Sequence, residues 1–145
     1  MNELLLLCLI AGRRAAIPTA NVRSVIEIED ITPIPGVPPF ICGLTALRSQ
    51  ALTVIDCSVA LGFPSQERKP DQRAVVVEID GHFYALLVEE AYDVTEARSE
   101  PTEVPGGFGA EWQQAAARGM VETDTGPTLL IDIETLVSGP DAMAA

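Results

Sequence analysis

This 145-residue sequence is short of the side chains that most enzymes use. It has one histidine, His82, and three cysteines, Cys8, Cys42 and Cys57, an odd count with no CxxC spacing. A structural zinc site needs ligand pairs at short spacing, and none is present. The cysteines stand among apolar neighbours and read as small buried hydrophobes in a reducing cytosol. No flanking motif marks any of them as a nucleophile, and His82 directly follows a turn signal, where a surface histidine is expected. The acids Glu89, Glu90, Asp93 and Glu96 lack the ordered spacing of a calcium loop and read as a solvated acidic face. Gly106-Gly107 has no strand–loop–helix context of a phosphate cradle. The expectation is a chain with no catalytic residue, no cofactor and no metal.

Positive charge is scarce as well. Nine basic residues face 21 acidic ones, for a net charge of −12. Such a surface repels phosphate backbones and anionic lipid, which disfavours nucleic acid and membrane partners and favours proteins with basic patches. Long apolar runs are also missing. Leu4–Ile10 (LLLLCLI) is too short to span a bilayer, and Glu3 before it with Arg13-Arg14 after it is the wrong polarity for a secretory signal.

What the sequence does have is turns. Leu4–Ile10 reads as a strand covered on both faces, Ala11-Gly12-Arg13-Arg14 as a turn, and Ala15–Pro18 as the returning strand. Thr19 stands where it caps a short helical turn through Asn21–Ser24. Val25–Ile28 then extends, with Val25 and Glu27 on one face and Ile26 and Ile28 on the other. Asp56 and Gly62 bracket a short helix as N-cap and stop. Ser65–Asp71 reads as an exposed connector, Ala74–Ile79 and His82–Val88 as a hairpin on Asp80-Gly81. Glu89–Arg98 fits a strand or a helical turn equally, Glu100–Gly109 reads as a loop, and Ala110–Ala117 has helix-forming composition, with Trp112 packed on the barrel. Met120–Thr123 and Thr128–Asp132 form a last hairpin around Asp124–Pro127, and Ile133–Val137 a last short helix. Nine or ten short strands at this spacing predict an all-β barrel or sandwich, without a convincing internal repeat.

The organising stretch is Ile31–Val54, whose only charge is Arg48. Its prolines, Pro33, Pro35, Pro38 and Pro39, make a rigid loop. Two apolar strands, Phe40–Leu47 and Ala51–Ile55, follow around a turn at Arg48-Ser49-Gln50. A guanidinium in apolar surroundings must reach water, a carboxylate or a partner. Glu27, taken alone, fits a solvated edge position.

These residues resemble the CheW-like family of bacterial chemosensory adaptors. Val25-Ile26-Glu27 is similar to the family's Val-x-Glu strand, Ile34–Pro38 to its proline loop, and Ile41–Asp56 to its signature of a Gly, Asn-Leu-Arg-Gly and an apolar strand ending in Asp. Gly119-Met120-Val121 and Leu129–Asp132 resemble its closing hairpin. The departures are Ala46 and Ser49, which stand where the family has Asn and Gly, and Thr53, which replaces a common proline.

The resemblance implies two intertwined SH3-like barrels in a single domain over 1–138, with a flexible tail over 139–145. It implies a non-catalytic cytoplasmic adaptor that joins membrane-receptor arrays through protein contacts. The implied partners are the hairpin tip of chemoreceptors and the regulatory domain of a CheA-type histidine kinase. By motif, the partner-binding residues are Arg48 and Glu27 as a neighbouring pair, on a rim of Val25, Gly43 and Leu47. The alternative is a CheW-like module diverged to another signalling or motility partner, which Ala46 and Ser49 favour.

Overall fold

Two-residue turns set the register of this chain. The computed structural model describes residues 3–28, 30–65, 72–103 and 119–138. Its strands are β1 (Leu4–Ile10), β2 (Arg13–Pro18), β3 (Val22–Glu27), β4 (Ile41–Leu47), β5 (Gln50–Asp56), β6 (Arg73–Ile79), β7 (His82–Leu87), β8 (Glu90–Glu96), β9 (Met120–Thr123) and β10 (Gly126–Leu130). Among the described residues two short α-helices, α1 (Cys57–Ala60) and α2 (Ile133–Ser138), each follow a hairpin.

The turns are tighter than the sequence suggests. Ala11-Gly12 joins β1 to β2, so Arg13 and Arg14 lie in the strand. Arg48-Ser49 joins β4 to β5, Asp80-Gly81 joins β6 to β7, and Asp124-Thr125 joins β9 to β10. In the first three, both residues have positive φ. That is the type I′ geometry whose twist matches the paired strands. Glu89–Arg98, ambiguous in sequence, is mostly the strand β8, paired to β1 across a bulge between Leu6 and Cys8. Thr19 does not cap, because the helical turn is only the 3₁₀ segment Thr19–Asn21 and the chain passes straight into β3.

The strands form two five-stranded sheets, ordered β8-β1-β2-β10-β9 and β3-β6-β7-β5-β4. Each closes on itself. In the second, Thr32 beyond β3 bridges Leu44 of β4; in the first, Thr102 beyond β8 bridges Met120 of β9. A first barrel and a second barrel result, each holding a hairpin from the other half of the chain.

This arrangement is an internal repeat. Replacing β1–β5 by β6–β10, and the reverse, turns one strand order into the other. The parallel pairs β5–β7 and β10–β2 exchange likewise. Gly43 precedes Asp56 by the same interval as Gly119 precedes Asp132. The repeat missed in the sequence is thus carried by topology and by a few glycines and aspartates.

Those residues have local reasons. Asp56 caps α1, its Oδ1 accepting from the Ser58 N–H at 3.0 Å and the Val59 N–H at 3.3 Å. The Ser65 hydroxyl donates to its other oxygen at 3.0 Å, which ties down the chain beyond Gly62. Asp132 accepts from the Glu134 N–H at 3.1 Å in the equivalent place. Gly43 and Gly119 both have positive φ, and a Cβ on either would collide with the carbonyl of Thr32 or Thr102. Glycine lets the backbones meet where each barrel closes.

One core runs through both barrels. Leu6, Cys8, Ile10 and Ile17 of the first pack in a single buried cluster with Ile55, Val75, Val77 and Leu86 of the second. A smaller cluster around Leu52, Val54 and Leu87 fills the second barrel, and one around Leu5, Leu7 and Leu130 the first. Cys8 and Cys57 are buried as expected, whereas Cys42 is only half-buried. Residues 66–71 of the polar connector, most of the Glu100–Gly109 loop, the Ala110–Ala117 segment with Trp112, and the 139–145 tail lie outside the described residues. No helix among the described residues is long and apolar enough to cross a membrane.

Candidate functional site

β3 alternates as its sequence suggests. Arg23, Val25 and Glu27 face outward, and Ile26 and Ile28 turn toward the small core of the second barrel. Glu27 lies opposite Arg73 of β6, and Arg23 is anchored by Glu78 at 2.6 Å. β4 is the apolar strand its composition suggests, and part of it lies open. Gly43 is buried at its root, but Leu44 is 37% exposed and Ala46 is exposed. Exposure alternates along the strand, with Leu44 and Ala46 on the outer face and Thr45 and Leu47 half-buried.

Between β3 and the β4–β5 hairpin lies an open cleft of about 680 Å³. Its walls are Ile26 and Glu27 on one side and Leu44, Ala46 and Leu47 on the other, with Asp30 and Thr32 at the closure. The Thr45 hydroxyl donates to the Asp30 carbonyl at 2.8 Å, fixing that end. The lining combines the apolar Ile26, Leu44, Ala46 and Leu47 with the acidic Glu27 and Asp30.

The five residues singled out by motif are not all together. Glu27 and Leu47 share the cleft. Val25, 37% exposed, stands on the same outer face of β3 as Glu27. Gly43 is not on the rim; it is buried against Thr32 and its part is to let the barrel close. Arg48 occupies the hairpin tip directly after Leu47, exposed, with φ of 51°. No ion pair joins it to Glu27 among the described residues, which corrects the expected neighbouring pair. Arg48 does not line the cleft, and the residue opposite Glu27 in the β3–β6 register is Arg73. Both being exposed, a buried Arg48–Glu27 pair is excluded.

Leu44 lines the cleft without having been singled out, and Ala46, noted in the sequence as a departure from the family motif, lines it as well. The signal was Gly43 itself: a glycine held for backbone approach points inward, so its neighbour Leu44 points out.

The thiols are set by burial. Burial pushes the Cys8 thiol up to about 12. Burial also raises Cys57 well above the ordinary thiol value, with Cys8, Asp56 and Cys42 adding to the rise. Both remain protonated and inert near neutral pH. His82 is exposed, and among the described residues no three His, Cys, Asp or Glu side chains gather where they would hold a metal ion.

Comparison with known proteins agrees with the fold. The CheW family model, described as a CheW-like domain, matches residues 4–141. The chain is 31% identical over 107 residues to the chemotaxis protein CheW of Bacillus subtilis (strain 168), covering 73% of this chain and 69% of that one. It is 27% identical over 121 residues to chemotaxis protein CheW of Thermotoga maritima, covering 81% and 76%. Among solved structures, the scaffolding protein TtCheW from Thermoanaerobacter tengcongensis superposes with a TM-score of 0.79 at 25% identity, covering 94% of this chain and 88% of that one.

Proposed function

The chain belongs to the CheW-like domain family, and from that membership we propose that it acts as a non-catalytic adaptor coupling chemoreceptors to a CheA-type histidine kinase. The observation that carries this reading beyond the family is the cleft of the second barrel. It is open, lined by Ile26, Leu44, Ala46 and Leu47 beside Glu27, and Arg48 stands exposed on the adjoining type I′ turn. A receptor tip is helical, and a helix laid along such a groove buries its apolar stripe against Leu44, Ala46 and Leu47. Arg48 and Glu27 act separately, one at each end of the contact, as charged groups that set register. The adaptor works in the cytoplasm, held at receptor arrays by these protein contacts, with residues 1–138 as one domain and 139–145 as a tail.

A second reading keeps the fold but changes the partner. Ala46 faces into the cleft where the family motif has an amide, and Ser49 holds a φ of 71° where the motif has glycine. Both alter the presentation of Arg48, as a module diverged to another signalling or motility protein would.

The test is co-purification of the unaltered chain with the cell's own CheA-type kinase, with and without a receptor tip fragment. A ternary complex with raised kinase activity is expected. Binding to neither protein, with capture of a different signalling component, would replace the first reading by the second.

A further inference from the structure

The two-residue turns differ in what holds them. Gly12 ends the β1–β2 turn, and its N–H donates to Glu89 Oε1 at 2.8 Å. Gly81 ends the β6–β7 turn with a φ of 81°, which glycine adopts without strain. In the β9–β10 turn, the Arg14 guanidinium donates to the Thr125 carbonyl at 2.6 Å and the Thr125 N–H to the Thr123 hydroxyl at 3.3 Å. The β4–β5 turn has neither device. Its second residue is Ser49, at a φ of 71°, where the other two turns of this geometry have glycine. Among the described residues no side chain outside the hairpin holds Arg48 or Ser49. Left-handed backbone is unfavourable for a residue with a Cβ, and such strain gathers at sites where the conformation serves function.

The base of this hairpin is fixed. Leu47 packs against the small core cluster of the second barrel, and Leu52 is buried within it. A change of turn is therefore confined to Arg48 and Ser49. Two turn types keep the Leu47–Gln50 pairing. Type I′ matches the twist of the strands but needs left-handed backbone at both central residues. Type I needs it at neither but fits the twist less well. Glycine in the second position settles the contest for type I′. With Ser49 the steric cost opposes the twist, and the two forms draw close in free energy. The sign of φ at Arg48 differs between them, so their interchange re-aims its side chain. In the type I′ form Arg48 stands exposed and, unlike Leu47 before it, does not line the cleft.

We propose that Ser49 makes the β4–β5 tip a two-state turn: type I′ in the free protein, with Arg48 off the cleft, and type I when a receptor tip helix occupies the cleft, with Arg48 turned onto it. Ser49 is a positioning residue that acts only through Arg48. The inference rests on the adaptor reading and adds a conformational step to it. The helix draws the turn into the type I form because that form gives the guanidinium an acceptor. Its apparent affinity is thus scaled by the population of that form.

The experiment uses the full chain and a receptor tip fragment. Scalar couplings and chemical shifts at Arg48 and Ser49 report the sign of φ in the free and the bound protein, and isotherms report affinity. Both residues pass from positive to negative φ on binding. Ser49→Gly favours type I′, so it raises the melting temperature yet weakens the fragment by about two- to fivefold, the factor by which it stabilises that form. Ser49→Ala, which loses the hydroxyl but keeps the Cβ, binds as the unaltered protein does. In an Arg48→Ala background, Ser49→Gly weakens the fragment no further. Positive φ at both residues in the complex overturns the two-state turn. Unchanged or tighter binding by Ser49→Gly overturns it too, and so does an equal loss in Ser49→Ala, which would assign the effect to the hydroxyl. Each of these leaves the adaptor reading standing. Failure of the unaltered protein to bind the fragment overturns that reading, and this inference with it.

Discussion

Replacing Gly43 by alanine tests how the second barrel closes. The new methyl group points at the Thr32 carbonyl and overlaps it. That carbonyl has no room to yield, because it accepts the Leu44 N–H at 2.9 Å while the Thr32 N–H donates to the Leu44 carbonyl at 2.8 Å. Relief of the overlap therefore breaks the two-bond bridge, at about 0.5–1.5 kcal/mol for each bond. A left-handed φ adds about 1–2 kcal/mol for a residue with a Cβ. Together these give about 2–5 kcal/mol, a large share of the roughly 5–15 kcal/mol that holds a domain folded. Gly119→Ala at the Thr102–Met120 bridge should behave alike, since its surroundings repeat those of Gly43. Gly36→Ala is the control, with φ of 78° and nothing within 4 Å, and should lose only the conformational part. The assay is urea unfolding followed by far-UV circular dichroism. A Gly43→Ala protein no less stable than Gly36→Ala would refute the closure. Because one core spans both barrels, each variant should unfold in a single transition.

Ser49→Gly should stabilise the chain by about 0.5–1 kcal/mol, because Ser49 holds a φ of 71° where Asp80-Gly81 has glycine at 81°; an unchanged melting temperature would contradict the turn geometry. In the folded protein a thiol reagent should modify Cys42 well before Cys8 and Cys57, which are buried, and equal reactivity of all three would contradict the shared core. Cys8, raised by burial from 9.0 to about 12, favours folding fully below pH 9 and loses that contribution as pH climbs toward 12. Stability should therefore fall by up to about 1.4 kcal/mol per pH unit from this thiol, with a shallower fall in Cys8→Ala; identical slopes would contradict it. With a net charge of −12, association with a basic partner should slow as salt rises, mainly through the on-rate; salt-insensitive association would assign the contact chiefly to Val25, Leu44 and Leu47.

Much of this fold was legible because its signals are local. Asp80-Gly81 announces a hairpin, Asp56 a helix cap, and Val25-Ile26-Glu27-Ile28 a strand with distinct faces. What stayed hidden depends on pairing. The exchange of hairpins between halves leaves no trace in periodicity, and Gly43 with Gly119 becomes meaningful only once Thr32 and Thr102 are seen lying against them. β8 was ambiguous because its outward face carries Tyr92 and Val94, so apolar residues do not mark the inside. The supposed Arg48–Glu27 pair failed for a related reason: it came from motif likeness, whereas register decides which residue stands opposite Glu27, and that is Arg73.

The most direct test of the functional account is a melting curve beside a binding isotherm for Arg48→Ala, Glu27→Ala and the double variant. Arg48 and Glu27 are exposed and make no ion pair with each other, so all three proteins should stay folded near the original melting temperature. Alanine fits the turn, since Ala11 holds a φ of 50° in the same chain. Each single change should weaken binding of a receptor tip fragment or the kinase regulatory domain by about 1–3 kcal/mol, as for a charge-assisted contact. The two losses should add in the double variant, because the residues act at separate points. Unchanged affinity for both partners in all three folded variants would contradict the assignment of this cleft to partner binding.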